Sequence, residues 1–254
     1  MEKTTKDRIR LVKVHKSFGT QKVLDGVDLS IPGGSITVIL GRSGEGKSVL
    51  LKHLIGLLKA DQGQVFVDGI DITPMGPHDL NELRRRFGML FQNGALFDSL
   101  NVFENVAFPL KEHSRLSRSE IEKTVIEKLA LVGLKDVGKK MPAELSGGMR
   151  KRVGLARAIA LSPEIILYDE PTTGLDPLMT DSVNNLILEM QKKLKVTSVV
   201  ISHDIESTFQ LADKIAMLHD GKIIEEGPPE TFKKTQHPFV KKFLEGRSEN
   251  EVIL

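Results

Sequence analysis

The sequence of 254 residues contains no cysteine, which excludes disulfide scaffolds, thiolate zinc sites, iron–sulfur clusters and cysteine nucleophiles. It also lacks an excess of either charge, since 36 basic and 34 acidic residues leave a formal net charge of +2. This balance argues against nucleic acid as the main partner, because nucleic-acid-binding surfaces need a basic excess. No apolar run approaches the ~20 residues of a membrane span. Residues 1–10 lack the apolar region of a secretory signal.

The composition, with 40% hydrophobic and 28% charged residues, fits a globular protein. The sequence contains no internal repeat. Strand-like runs alternate with helical runs, which predicts an α/β fold in one domain, 1–246, followed by a tail. Strands are predicted at 23–31, 36–40, 165–168 and 198–202, and hairpins at 65–72 and 214–225. Helices are predicted at 47–58, 121–132, 179–194 and 238–244, the second after a capping box at Ser117 and Glu120.

A phosphate-loop pattern, G-x-x-x-x-G-K-[ST], lies between a predicted strand and a predicted helix and comprises Gly41, Arg42, Ser43, Gly44, Glu45, Gly46, Lys47 and Ser48. The glycines permit a turn that points N–H groups at phosphate oxygens, and the helix N-terminus adds a positive dipole end. Lys47 supplies a charge for the β- and γ-phosphates, and the Ser48 hydroxyl can ligate Mg²⁺. The motif predicts a nucleoside triphosphate site, in which we include the next residue, Val49.

Two carboxylates, Asp169 and Glu170, follow the apolar run 165–168. The carboxyl ends of strands face the ligand crevice in open α/β sheets, so Asp169 is a candidate Mg²⁺ ligand. Glu170 is a candidate base for an attacking water. A kinase would need a site for an acceptor alcohol, and an acid beside the metal ligand suits hydrolysis better.

A second candidate anion site begins with Ser146, which can cap a helix whose residues Val153, Ala156 and Ala160 have helical spacing. Gly147 and Gly148 leave bare N–H groups at the positive end of that helix. The alternative is a plain capped helix without a ligand.

In their order along the chain, the motifs GRSGEGKS, LSGGM and IILYDEPTTGLDP resemble those of the ATP-binding-cassette (ABC) transporter ATPases. The resemblance covers nearly the whole chain. It implies a P-loop NTPase fold of the ABC type, with a RecA-like core, an antiparallel β subdomain and a helical subdomain at about 93–160. It also implies ATP, Mg²⁺, hydrolysis, and a homodimer of cassettes in which Ser146, Gly147 and Gly148 act on the partner's ATP. Met149 departs from the family, where Gln is commoner.

Four further positions acquire roles through this resemblance. Gln92 corresponds to the Q-loop glutamine, which joins the metal and water to the helical subdomain, and His203 to the switch histidine, which contacts the γ-phosphate. Asp176 corresponds to the D-loop aspartate and is also a well-placed N-cap before Pro177. Phe18 corresponds to an aromatic that stacks on adenine, and the alternative is a core phenylalanine.

A narrower resemblance, to the Mla-type ATPases that serve MCE-domain systems and move phospholipid between membranes, rests on residues 46–52, 90–112 and Met149. It implies integral membrane permease subunits and an MCE-domain protein as partners, no nucleic acid, and a location on the cytoplasmic face of the inner (plasma) membrane, held peripherally through the permease. The alternative is the ATPase of a binding-protein-dependent importer, for example of amino acids.

Other nucleotide-binding classes fit less well. A DNA-repair ABC ATPase would need a long coiled-coil insertion, and a translation factor of the family would carry two cassettes. A P-loop kinase or small GTPase would lack the LSGGM motif and the switch histidine. We expect the apolar segment 93–110 to include a permease-docking surface. The tail, 247–254, ends in three apolar residues and is either disordered or packs on the second cassette.

Overall fold

The computed structural model describes residues 7–246, so the predicted tail lies outside the described residues. In this part of the chain, the strands are β1 (Asp7–Phe18), β2 (Gln21–Pro32), β3 (Ile36–Leu40), β4 (Gln62–Val67), β5 (Ile70–Asp71), β6 (Phe87–Leu90), β7 (Ile165–Asp169), β8 (Thr197–Ser202), β9 (Lys214–His219) and β10 (Lys222–Gly227). The α-helices are α1 (Lys47–Leu54), α2 (Pro77–Arg84), α3 (Val102–His113), α4 (Arg118–Leu131), α5 (Gly147–Ala158), α6 (Pro177–Leu194), α7 (Ile205–Leu211), α8 (Pro229–Lys233) and α9 (Pro238–Leu244), with a 3₁₀ turn at Pro142–Glu144. None of the helices within residues 7–246 is both long enough and apolar enough to cross a membrane.

The chain divides into two compact units, and the first consists of the residues up to Thr73 and from Ile201 onward. Its antiparallel sheet has the strand order β2-β1-β4-β5. The alternating residues of β1 and β2 bury one face, with Ile9 opposite Ile31 and Leu11 opposite Leu29. In the same unit, β9 pairs with β10 antiparallel and with β3 parallel.

The two predicted hairpins of the first unit have the expected turns. Asp68 and Gly69 join β4 to β5 with φ angles of 52° and 81°, and Asp220 and Gly221 join β9 to β10 with φ angles of 46° and 71°. Two consecutive residues with positive φ define a type I′ turn, whose twist matches that of the paired strands. The Asp-Gly pairs in the sequence therefore predict these hairpins correctly.

The second unit is Pro74–Val200, and its strands lie in the order β8-β7-β6. β6 runs parallel to β7, from Phe87 opposite Ile165 to Leu90 opposite Tyr168. Helices α3 and α4 both pack against α5. The predicted capping box of α4 is confirmed, since the Ser117 hydroxyl accepts from the Glu120 N–H and the Glu120 carboxylate accepts from the Ser117 N–H.

Two elements differ from the sequence-based prediction. The predicted helix 47–58 is too long, because α1 ends at Leu54 and the chain turns through Gly56, whose φ is +62°, with the Leu57 N–H bonded to the Lys52 carbonyl. No helix is predicted within the apolar segment 93–110, but α3 begins inside it, after a capping box formed by Asn101 and Glu104. Pro109 lies within α3 and masks its helical signal in the sequence.

Candidate functional site

The predicted phosphate loop lies between β3 and α1 in the first unit, as its sequence pattern requires. Gly46 has a φ of +90°, and a Cβ atom there would lie 2.7 Å from Cγ1 of Val23. A Cβ atom on Gly41 would lie 2.6 Å from the Leu218 carbonyl oxygen. Neither position accommodates a side chain, so both glycines are needed for the tight loop.

Lys47 occupies the centre of this loop. Its side chain is buried, and Nζ donates hydrogen bonds to the carbonyl oxygens of Gly41, at 2.8 Å, and Arg42, at 2.7 Å. These bonds hold the ammonium group against the loop backbone. Ser43, Gly44 and Ser48 are exposed on the same loop, and Val49 is partly exposed. The arrangement presents a cation, a hydroxyl and a helix N-terminus to an anionic ligand.

The side chains of two loop residues have other partners. The Glu45 carboxylate lies 3.0 Å from Nδ1 of His219 and accepts a 2.7 Å hydrogen bond from the Asp220 N–H. The Arg42 guanidinium lies 5.1 Å from the ring centroid of Phe239, on α9. Arg42 and Glu45 are therefore part of the loop through their backbone atoms. Their side chains anchor the loop to the C-terminal elements of the first unit. The loop pattern alone does not reveal these contacts.

Two other predicted residues of the first unit lie at its surface. His203 is exposed in the turn after β8, where the Asp204 N–H donates to the Ser202 hydroxyl at 2.9 Å and the Asp204 carboxylate caps α7. Phe18, at the end of β1, is 47% exposed, with the Lys16 ammonium 5.5 Å from its ring centroid. This exposure excludes the alternative that Phe18 is a core residue.

In the second unit, the structure brings together Gln92 and Glu170. The pairing of β6 with β7 is parallel, so the residues that follow both strands meet at one edge. Nε2 of Gln92 lies 3.5 Å from Oε2 of Glu170, and the Thr173 hydroxyl donates to the same oxygen at 3.0 Å. Asp169, the last residue of β7, precedes this carboxylate. The edge carries the oxygen ligands and the candidate base that the sequence predicts.

The sequence reasoning missed Lys151 and Thr173. Lys151 lies on α5 and is 5% exposed, and its Nζ donates to the carbonyl oxygens of Pro171 and Thr173. Burial disfavours its charged form and lowers the pKa of Lys151 to about 8, although the Glu170 carboxylate acts in the opposite direction. Helical spacing gives no signal for it, because Lys151 lies on the opposite side of the helix from Val153, Ala156 and Ala160.

The predicted caps of α5 and α6 are present. The Ser146 side chain accepts from the Met149 N–H at 3.2 Å, and the Asp176 carboxylate accepts from the Met179 N–H at 2.9 Å. The starts of these helices lie side by side, since a Cβ atom on Gly148 would lie 3.1 Å from Sδ of Met179. Gly147 is exposed at the positive end of α5, whereas Gly148, expected to be bare as well, is buried beside Met179. The structure thus groups Ser146, Gly147, Gly148 and Asp176 on one side of the second unit.

The donor atoms fit the ligands that the motifs imply. Ser48, Asp169 and Gln92 each offer an oxygen, which is the donor that Mg²⁺ prefers. Among residues 7–246, one cluster of Glu45, His219 and Asp220 also has metal-ligand spacing, but its members are hydrogen-bonded to one another.

This chain is similar to known proteins in sequence and in fold. The family model described as "ABC transporter" matches residues 24–173. The "Probable ribonucleotide transport ATP-binding protein mkl" of Mycobacterium tuberculosis (strain ATCC 25618 / H37Rv) is 47% identical over 232 residues, which are 91% of this chain. The chain spans 65% of the length of that relative.

Two further similarities cover most of both proteins. The "Intermembrane phospholipid transport system ATP-binding protein MlaF" of Escherichia coli (strain K12) is 41% identical over 252 residues, 99% of this chain and 94% of the relative. The solved dimer of the ATP-binding cassette MJ0796, bound to ADP and Pi, is 33% identical with a TM-score of 0.80, covering 87% of this chain and 98% of that one. These similarities confirm the predicted fold class and family: the chain belongs to the ABC transporter family.

Proposed function

We propose that the chain is the ATP-hydrolysing subunit of an ABC transporter that moves phospholipid between membranes. The proposal of ATP hydrolysis rests on the position of the Glu170 carboxylate. The Thr173 hydroxyl and the Gln92 amide hold this carboxylate at the end of β7. A carboxylate fixed in this way is suited to accept a proton from water.

In the proposed reaction, the phosphate loop binds the triphosphate of ATP through its backbone N–H groups and Lys47. Glu170 orients a water molecule and accepts its proton as the water oxygen bonds to the γ-phosphorus. The bond from that phosphorus to the β–γ bridging oxygen breaks, and ADP and phosphate leave. Gln92 contacts the water, and His203 contacts the γ-phosphate. Phe18 stacks on the adenine.

Mg²⁺ would be held by Ser48, Gln92 and Asp169, and it would neutralise charge on the phosphate oxygens when bound. Two copies of the chain form the working unit, in which Ser146, Gly147 and Gly148 of one copy contact the nucleotide of the other, with Asp176 beside them. This arrangement is supported by the dimeric state of the related cassette MJ0796. The dimer binds a membrane permease at the cytoplasmic face of the membrane.

The phospholipid part is supported by the similarity to MlaF, which extends over 99% of this chain and 94% of the relative. An MCE-domain protein is then a further partner. A second candidate is ribonucleotide transport, because the mycobacterial relatives that carry this name are 47% identical. We give it less weight, since the chain covers only 65% of those relatives.

The test is reconstitution. The chain is purified with the permease that co-purifies with it, placed in liposomes, and supplied with ATP. We expect ATP-dependent transfer of labelled phospholipid, and the Glu170→Gln variant serves as the inactive control. ATP-dependent movement of a labelled ribonucleotide or amino acid, with no lipid transfer, would overturn the phospholipid assignment.

A further inference from the structure

Lys151 is a buried cation that the proposed reaction does not use directly. Its Nζ donates to the carbonyl oxygen of Pro171 at 2.6 Å and to that of Thr173 at 2.7 Å. Bonds from an ammonium group are charge-assisted and stronger than those between neutral groups. Lys151 therefore fixes two carbonyl groups of the turn that follows Glu170.

This turn also holds the carboxylate of Glu170. The Thr173 hydroxyl donates to Oε2 of Glu170 at 3.0 Å, and the Thr173 N–H lies 3.3 Å from the Glu170 carbonyl oxygen. The backbone of Glu170 has a φ of +47°, a left-handed conformation that costs a non-glycine residue free energy. Such a conformation persists only where the surroundings restrain it, and the bonds from Lys151 and Thr173 supply that restraint.

A methionine at position 151 would fill nearly the same volume without the cost of burying an amine. Burial lowers the pKa of this amine to about 8, because its charged form is less well solvated in the folded chain. What methionine could not supply is the pair of hydrogen bonds to the Pro171 and Thr173 carbonyls.

We propose that Lys151 is a positioning residue for ATP hydrolysis: by fixing the Pro171 and Thr173 carbonyls, it places the Thr173 hydroxyl that orients the Glu170 carboxylate. The inference rests on the proposed function, in which Glu170 is the base. Lys151 acts through Glu170 and does not contact the substrate.

The experiment compares Lys151→Met, which has no donor, with Lys151→Arg, which keeps the charge and the donors. We expect Lys151→Met to lower kcat between about 10- and 100-fold, the scale of a misplaced catalytic group. The KM for ATP should change by less than about twofold, because the phosphate loop is untouched. Lys151→Arg should recover most of the lost kcat. Lys192→Met, which removes an exposed lysine of α6, is the matched control and should behave as the parent.

A double-mutant cycle separates positioning from a merely structural role. If Lys151 acts through the Glu170 carboxylate, Lys151→Met should cause no further loss in a Glu170→Gln background. An equal fold-loss in both backgrounds would overturn the inference, as would a parent kcat in the single variant. If Lys151→Met does not fold, as judged by its melting curve, Thr173→Val replaces it, because this change removes only the hydroxyl and keeps the carbonyl that Lys151 bonds.

For Thr173→Val we expect a similar loss of kcat with unchanged KM, and an unchanged kcat would also overturn the inference. Phosphate release by the parent chain with its permease is measured alongside every variant. A parent that hydrolyses no ATP overturns the proposed function, and the inference with it. A parent that hydrolyses ATP beside a fully active Lys151→Met overturns the inference alone.

Discussion

Nε2 of Gln92 lies 3.5 Å from Oε2 of Glu170, although the two residues are 78 positions apart in the sequence. The parallel pairing of β6 and β7 produces this approach, because each residue follows the carboxyl end of its strand. Gln92 is also the last residue before the segment 93–160, which carries α3, α4 and α5. A shift of that segment would change the surroundings of the candidate base, so the pair would link the helices to the proposed hydrolysis.

Replacing Glu170 with Gln should strongly slow turnover and spare nucleotide binding. The amide keeps the shape of the side chain but cannot accept the proton of the attacking water, so we expect ATPase to fall at least ~100-fold. Phosphate release measures turnover, and a fluorescent ATP analogue measures binding. Glu122→Gln, on the exposed surface of α4, is the matched control. Hydrolysis at the parent rate by the Glu170 variant would show that another group is the base.

Two copies of the chain should build each ATP site. Lys47→Ala removes the cation of the phosphate loop, and Ser146→Arg blocks the start of α5, so each variant alone should be inactive. In a mixed dimer, the intact loop of one chain meets the intact Ser146 of the other, which restores at most one site. Partial recovery of phosphate release on mixing the two variants is the expected result. The prediction fails if the mixture stays inactive while dimers of the two variants form.

The local elements were largely predictable from the sequence. The Asp68-Gly69 and Asp220-Gly221 pairs predict their type I′ turns because few other dipeptides adopt positive φ twice at low cost. The pattern around Gly41 and Lys47 predicts the loop between strand and helix, since its glycines leave little conformational choice. In contrast, α3 went unpredicted because Pro109 lies inside it.

The contacts that position the site residues were not predictable. Lys151 meets Pro171 across 20 residues, and Glu45 meets His219 across 174. Such contacts depend on the packing of whole elements, whereas the sequence pattern reports only neighbours along one strand or one helix face. The sequence therefore predicts which groups carry the chemistry but not what holds them in place.

Raising the pH above about 8 should stabilise the fold through Lys151. Burial lowers the pKa of Lys151 from 10.5 to about 8, so between these values the unfolded chain binds a proton that the folded chain does not. The free energy of unfolding then rises with pH, by up to about 1.4 kcal/mol per unit from this group.

The measurement is urea unfolding of the parent and of Lys151→Met at about pH 7 and about pH 10. The difference between the two proteins removes the titration of the other groups. We expect that difference to shift in favour of the parent at the higher pH. A difference that is the same at both pH values would contradict the lowered pKa.

The permease should dock on the exposed aromatic residues around α3. Phe97 is 43% exposed and Phe108 39% exposed, and their ring centroids lie 4.8 Å apart. Asn105 holds the loop before α3, because its side chain accepts from the Phe97 N–H and donates to the Phe97 and Leu100 carbonyls. The Arg157 guanidinium lies 5.5 Å from the Phe97 ring centroid. An exposed apolar patch on a braced loop is a suitable surface for a short helix of a partner.

Phe97→Asp should place a carboxylate in this patch and detach the chain from the permease, while nucleotide binding by the isolated chain stays as in the parent. Phe103→Asp should act in the same direction, although Phe103 is partly buried and its variant also requires a melting curve to exclude misfolding. Ile126→Asp, an exposed apolar position on α4, is the matched control and should leave the complex intact. Co-purification with a tagged permease measures docking, and permease-dependent ATPase measures coupling. If Phe97→Asp and Phe103→Asp both co-purify with the permease as the parent does, the docking surface lies elsewhere on the chain.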